Sequence, residues 1–301
     1  MKSKINKFIC FANEKKAVEL SFNWIFAIIT GVIILLLALY GVSKIVQTSE
    51  SLSNAESAAA LSALLDPLET GLASGKSQEI SLNREIKIFY TCTYLDNKPF
   101  GKQTISISEK NLKNEFGAKG EETSIKNKYI FTEDSDAGKN FYVFSKPFFI
   151  GFKVADIIVI SSKEYCFYQP PNEIKTEIEN LNIGKIKVSE DLKNCTGIKV
   201  CFDSGRAECD IKVYRTGIGY EYGKVVKNNR EVYYKNSLIY SAIFSSPDIY
   251  ECNVKRLMNR LNELTGIYYD KTDIIQKKGC DSSIKTELDI LRNSAKSINS
   301  S

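Results

Sequence analysis

Between Leu20 and Val42 the chain reads LSFNWIFAIITGVIILLLALYGV, twenty-three residues without a charge. About 20 apolar residues are needed to cross a hydrocarbon core as helix. No water satisfies backbone N–H and C=O groups inside lipid, so a single run of this kind has to be helical there. Trp24 and Tyr40 stand near its two ends, where amphipathic rings favour the headgroup regions, and Lys44 follows. A secretory signal has a shorter apolar stretch of about 7–15 residues and then a small-residue cleavage site. The uninterrupted run to Tyr40 therefore reads as a retained membrane anchor over residues 20–43, with the lipid bilayer as its first partner. It holds no ionisable group, which argues against transport or proton relay. Ala27 and Gly31, four residues apart, offer small positions where a second copy or another envelope protein could bring a helix close.

Residues 1–19 carry Lys2, Lys4, Lys7, Lys15 and Lys16 against Glu14 and Glu19, a net charge of +3. Positive flanks stay on the cytoplasmic side, so residues 1–19 are expected to be a cytoplasmic tail and the bulk of the chain to face outward across the cell membrane. Once the tail's +3 is taken from the formal +5 of the whole chain, +2 is left for everything after Glu19. The basic balance mostly describes the tail, and a nucleic-acid partner loses its electrostatic support.

Lys15-Lys16-Ala17-Val18-Glu19, followed by the apolar run, resembles the class III signal of type IV pilin-like proteins. The resemblance implies cytoplasmic-side cleavage after Ala17, a mature chain that begins at Val18 and keeps its helix, and a pilin-like subunit. In pilins the acidic residue stands fifth in the mature chain, whereas Glu19 would be second. Two readings stay open for the tail, an ordinary signal anchor and a processed one.

Residues 44–75 read as a helical stalk and linker, rich in Ser, Ala, Glu and Leu, and broken by Asp66-Pro67 and by glycines. The extracytoplasmic domain then occupies residues 76–301. Up to about Gln169 its runs are β-branched and aromatic, separated by Gly, Pro, Asn and Asp, which predicts antiparallel strands. A short helix over 172–181 places Ile174, Ile178 and Leu181 on one face. Ile198–Phe202 and Ala207–Ile211 fit an antiparallel hairpin turning on Ser204-Gly205, with Val200 opposite Cys209 and Ile198 opposite Ile211. That register puts Cys201 and Cys209 on opposite faces and predicts no bond between them. Tyr-rich strands are expected around 224–226 and 231–240. Ser246-Pro247-Asp248 is a strong helix start, and Val254, Leu257, Met258, Leu261 and Leu264 make its apolar stripe, with Gly266 as a possible turn. A last amphipathic helix carries Ile284, Leu288, Leu291, Ala295 and Ile298. The fold class is α+β, with helices closing a β-rich domain.

Seven of the eight cysteines lie beyond the apolar run, a density that predicts disulfides in an oxidising compartment. Cys252 with Cys280 is the first expected pair, on condition that Gly266 turns the chain. One straight helix would hold them ~42 Å apart. Cys92 with Cys166 is the second, and a buried free thiol is the alternative at each position. No C-x-x-C occurs, so no metal site and no cofactor are expected. Asn194-Cys195-Thr196 fits the N-glycosylation pattern, as does Asn299-Ser300-Ser301.

The chain has no histidine, which removes Ser-His-Asp and Cys-His catalysis altogether. Asp134-Ser-Asp136-Ala-Gly138 begins like a calcium loop, but Ser145 stands where a closing acid belongs. The anchor LSFNWIFAII at Leu20–Ile29, the break DPLETG at Asp66–Gly71, Phe244-Ser-Ser-Pro247, Tyr250-Glu-Cys252 and Arg256-Leu-Met258 together resemble single-span envelope proteins of small-genome archaea. The resemblance implies an envelope protein with no assigned activity. The functional expectation is a membrane-anchored extracytoplasmic structural or interaction protein. The alternatives are an anchored envelope hydrolase, which two converging acids would favour, and a ligand-binding cell-surface sensor.

Overall fold

The structure, a computed structural model, describes residues 24–44, 77–95, 98–110, 115–279 and 283–300. The chain divides into two units, Met1–Glu50 and Ser51–Ser301. In the first, α1 (Trp24–Lys44) is a helix of 21 residues, long and apolar enough to span a membrane, with none of its length buried in protein. Its hydroxyls turn back on the helix, Thr30 donating to the Phe26 carbonyl and Ser43 to that of Tyr40 at 2.8 Å. An apolar helix can carry such residues because its own carbonyls satisfy them.

The second unit is α+β, built on two six-stranded sheets. The first is formed by β1 (Ser77–Leu95), β2 (Lys98–Glu109), β3 (Thr123–Ile125), β4 (Tyr129–Phe131), β5 (Ser135–Ile150) and β6 (Phe152–Ser161). Its spatial order is β3-β2-β1-β5-β6-β4, antiparallel except between β4 and β6. The second sheet holds β7 (Tyr165–Tyr168), β8 (Ile186–Ser189), β9 (Ile198–Phe202), β10 (Ile211–Arg215), β11 (Tyr222–Lys227) and β12 (Arg230–Lys235), in the order β12-β11-β10-β9-β7-β8. Here β8, β7, β9 and β10 run parallel, and the β10-β11-β12 meander is antiparallel. The helix α2 (Asn172–Asn180) makes the crossover from β7 to β8, burying Ile174 and Ile178 as its spacing predicts.

Two expectations fail in the second sheet. Ile198–Phe202 and Ala207–Ile211 do not form a hairpin. The chain loops out after Phe202, with Asp203 in the left-handed region at φ 45°, and returns so that β10 lies parallel to β9, Ile211 beside Val200 and Lys212 beside Cys201. Lys199 and Asp210 still meet, through backbone bonds and the Asp210 carboxylate on the Lys199 N–H at 2.8 Å. The second failure lies at 238–240, expected as strand. There the run LIYSAIF forms α3 (Leu238–Phe244), every residue of which is buried. A helix apolar on all sides belongs inside a core, and a short apolar run has no period by which to tell it from a strand.

The core gathers around α3. Phe244 sits among Tyr165, Phe144, Phe167 and Tyr142 with ring centroids at 4.4, 5.4, 6.1 and 6.5 Å. A separate apolar cluster on the first sheet includes Ile88, Ile105, Ile107, Phe141, Ile158 and Ile249. Ser246 caps α4 (Pro247–Lys277), its hydroxyl accepting from the Ile249 N–H at 3.4 Å, with Pro247 in the first turn. The helix runs unbroken through Gly266, so no turn forms there. A Cβ at that position would lie 3.8 Å from the Arg292 guanidinium of α5 (Lys285–Ser300), an ordinary contact distance, so the glycine there is not demanded by packing.

Candidate functional site

The disulfides differ from both expected pairs. Cys92 of β1 is bonded to Cys252 of α4, 160 residues on, with the Cα atoms 6.0 Å apart. Cys166 of β7 is bonded to Cys195, and Cys201 to Cys209, at Cα separations of 5.4 and 5.9 Å. Cys92 and Cys166 lie in different sheets, which is why they do not pair. Cys252 already has its partner, and the uninterrupted α4 removes the turn that pairing with Cys280 required. Cys280 itself lies outside the described residues, as do Lys15, Lys16, Ala17, Val18 and Glu19. The bond between Cys201 and Cys209 follows from the returning loop, which folds Cys209 back over the face from which Cys201 projects. With Cys166, Cys195, Tyr168 and Leu192 these residues make a small apolar cluster of their own on that face of β7 and β9.

Other residues singled out by sequence are placed plainly. Asn194 is exposed beside Cys195, in a one-turn helix (Leu192–Asn194) capped by Asp191. Ala27 is exposed on α1, and Gly31 has open space around it. Asp134 and Asp136 serve the fold: Asp134 accepts from Ser246 Oγ at 2.6 Å, and buried Asp136 accepts from both the N–H and the hydroxyl of Ser162. Among the described residues no three His, Cys, Asp or Glu side chains converge to hold a metal ion.

Two buried cations are also structural. The Arg256 guanidinium, 3% exposed, donates to the Phe100 carbonyl at 2.8 Å, to Asn253 Oδ1 at 2.6 Å and to Gln103 Oε1 at 3.3 Å. Asn253 and Gln103 in turn both donate to the Ile130 carbonyl. Burial pulls the Arg256 pKa down from its ordinary value. Lys227 reaches Glu133 at 3.0 Å and the Ile243 carbonyl at 3.2 Å, and burial outweighs Glu133 in lowering its pKa.

A cleft of about 410 Å³ opens where the end of β5, α2, the loop before β11 and the start of α3 meet. Glu177 of α2, in its lining, accepts from Lys146 Nζ at 2.8 Å and from Tyr240 Oη at 2.5 Å. Burial pushes the Glu177 carboxyl up, but these two donors outweigh it and hold the group below its ordinary value. Burial and the adjacent Glu177 push the Tyr240 phenol well above the tyrosine range, so it remains a neutral donor. Lys146 Nζ lies 5.1 Å from the Tyr240 ring centre, completing a three-residue unit. At the rim, Tyr220 donates to Asp203 at 2.8 Å, and Asp203 is also paired with Arg215 at 3.0 Å. Glu173 and Glu221 line the same cleft. One lysine against three glutamates gives a net negative lining, suited to a hydroxyl-rich or cationic ligand. Sequence reading missed this site because Lys146, Glu177 and Tyr240 are far apart in the chain and none stands in a motif. Only the four-residue step from Glu173 to Glu177 on one helix face was there to be read.

The chain matches no family model, no curated protein and no solved structure.

Proposed function

We propose that this chain is a single-pass membrane protein whose disulfide-locked domain lies outside the cytoplasm and acts there as a binding and interaction module. One observation carries the reading: a 21-residue apolar helix and three disulfides occur in the same chain. Disulfides persist where the surroundings are oxidising, and the basic flank of the apolar run favours a cytoplasmic amino terminus. The cleft at Glu177, lined by carboxylates, hydroxyls and an amide, offers polar groups suited to binding a ligand. A pilin-like subunit is the specific form of this reading, in which cleavage after Ala17 leaves Val18 as the first residue. Ala27 and Gly31 are then the positions at which neighbouring copies would approach.

The test is protease treatment of intact and lysed cells, with mass spectrometry of the mature amino terminus. Digestion of the domain in intact cells supports the topology, and protection there with digestion after lysis overturns it. An amino terminus at Val18 supports the pilin-like form, and one at Met1 removes it.

A second reading, hydrolysis of an envelope polymer, draws on the three glutamates of the cleft. It needs one acid that stays protonated near neutrality. Glu177, pulled down by Lys146 and Tyr240, is not that acid.

A further inference from the structure

The three-stranded meander at the edge of the second sheet has two contrasting faces. Inward, Ile211, Val213, Val225, Val232 and Tyr234 are buried. Gly223 is required beneath Tyr234, because a Cβ there would stand 2.7 Å from the ring and 2.1 Å from the Tyr214 carbonyl. Outward, the register sets Lys212 across from Val226 and Glu231, Tyr214 across from Lys224 and Tyr233, and Tyr222 across from Lys235. Directly opposed residues share a face, so three tyrosines and three lysines alternate over one surface.

The other half of this sheet face, on β7 and β9, is covered by the apolar cluster that the Cys166–Cys195 and Cys201–Cys209 bonds hold in place. The meander half is open. Tyr233 is 72% exposed and Tyr222 47%. Lys235 Nζ stands 5.0 Å from the Tyr222 ring centre and Lys224 Nζ 6.0 Å from that of Tyr214, so charge and ring are arranged together. Glu231 is the single acid on the face and is paired with Lys224 at 2.8 Å, leaving a net charge of +2.

We propose that this face binds an acidic polysaccharide, with Tyr214, Tyr222 and Tyr233 packing on sugar rings and Lys212, Lys224 and Lys235 holding carboxylate or sulfate groups. A tyrosine gives the C–H face of a sugar an electron-rich ring to lie on and gives its hydroxyls a phenol to bond, at the entropic cost of only two side-chain torsions. Lysine supplies a compact cation for a group displayed at the edge of such a chain. A single-stranded nucleic acid would offer its bases to the same rings, and the oligothymidylate arm of the test separates it from the polysaccharide. The source of the polysaccharide, the cell envelope or its surroundings, rests on the outward topology proposed above. The chemistry of the face does not.

The experiment is titration calorimetry on the full chain in an amine-oxide detergent, whose headgroup is not a sugar. The probes are oligogalacturonate, heparin-derived oligosaccharide, neutral dextran and oligothymidylate. The proposal expects one or both acidic oligosaccharides to bind, dextran to bind much more weakly, and Tyr233→Ala to weaken acidic binding by about tenfold or more. Lys224→Gln should weaken binding and flatten its salt dependence. Both side chains lie at the surface, and an unchanged thermal transition shows that each variant is folded. The proposal is overturned if neither acidic oligosaccharide binds, if binding is indifferent to Tyr233→Ala and so only ionic, or if oligothymidylate binds more tightly than either. Because the purified chain has no sidedness, loss of binding here and loss of the topology in the protease test are separate results.

Discussion

Cys92 on a strand of the first sheet and Cys252 on the first full turns of α4 are bonded over 160 residues of chain. A loop of that length makes this bond the strongest entropic constraint of the three, about 5 kcal/mol in the chain-entropy account, against roughly 2.5 kcal/mol for the eight-residue loop from Cys201 to Cys209. The prediction is that Cys92→Ser with Cys252→Ser lowers the denaturant midpoint more than Cys201→Ser with Cys209→Ser. Alkylation without reductant should also leave Cys92, Cys166, Cys195, Cys201, Cys209 and Cys252 unmodified, and a peptide map should recover the three pairs. A free thiol at any of these six would contradict the framework.

Arg256 stands one helical turn beyond Cys252 and binds three acceptors inside the protein. Replacing it with methionine keeps much of its length but leaves Asn253 Oδ1 and the Phe100 carbonyl short of a donor, while Gln103 Oε1 keeps the Ile130 N–H at 3.1 Å. The expected cost is about 3 kcal/mol, from desolvated acceptors left unpaired. Arg230 offers the comparison: it makes two ion pairs, with Asp248 and Glu251, but at the surface, with its side chain 42% exposed. Arg230→Met should therefore change stability far less, although more ion pairs are lost. Urea unfolding of the two variants side by side decides between burial and pair count.

The difference between what is legible in the sequence and what is not follows the range of the interactions. Ser246-Pro247-Asp248 starts α4 as read, since a cap and a first-turn proline act within one turn. The Ile174 and Ile178 face of α2 and the apolar α1 are equally local. The hairpin failed because alternation tells which residues share a face, and Val200 and Ile211 do, but it does not tell whether neighbouring strands run the same way. Leu238–Phe244 failed because a segment buried on every side has no amphipathic period to read. The disulfide partners were out of reach for a related reason: Cys92 meets Cys252 only through the whole topology between them. The cleft triad of Lys146, Glu177 and Tyr240 joins three separate elements in the same way.

Phe244 tests the claim that α3 is the centre of the domain. Its side chain is fully buried and touches four aromatic rings drawn from β5 and β7. Phe244→Ala removes those contacts and opens a cavity between rigid strands that have little room to collapse, for an expected loss of about 3–5 kcal/mol. Phe149→Ala, at a position half exposed near the end of β5, should cost much less. Thermal unfolding followed by near-ultraviolet dichroism measures both, and comparable losses would show that α3 is not the packing centre.

Glu177 makes a pH prediction whose sign can be worked out. Lys146 and Tyr240 hold its folded-state pKa below the ordinary 4.5, so the folded protein takes up that proton less readily than the unfolded chain. The resulting stabilisation is complete above pH 4.5 and is lost as the pH falls through the lowered folded-state value. In Glu177→Gln the titrating group is gone while the amide oxygen can still accept from Tyr240. The stability difference between wild type and variant should therefore be largest near neutrality and shrink steadily in acid. Because the Glu177 side chain is 50% exposed, added salt should shrink it as well. Urea midpoints taken from pH 7 down to about pH 3 follow the curve. A difference that stays level across that range would mean that the two donors do not lower the Glu177 pKa, and one that grows as acid is added would mean that the pKa is raised, the direction that the acid of the hydrolytic reading requires.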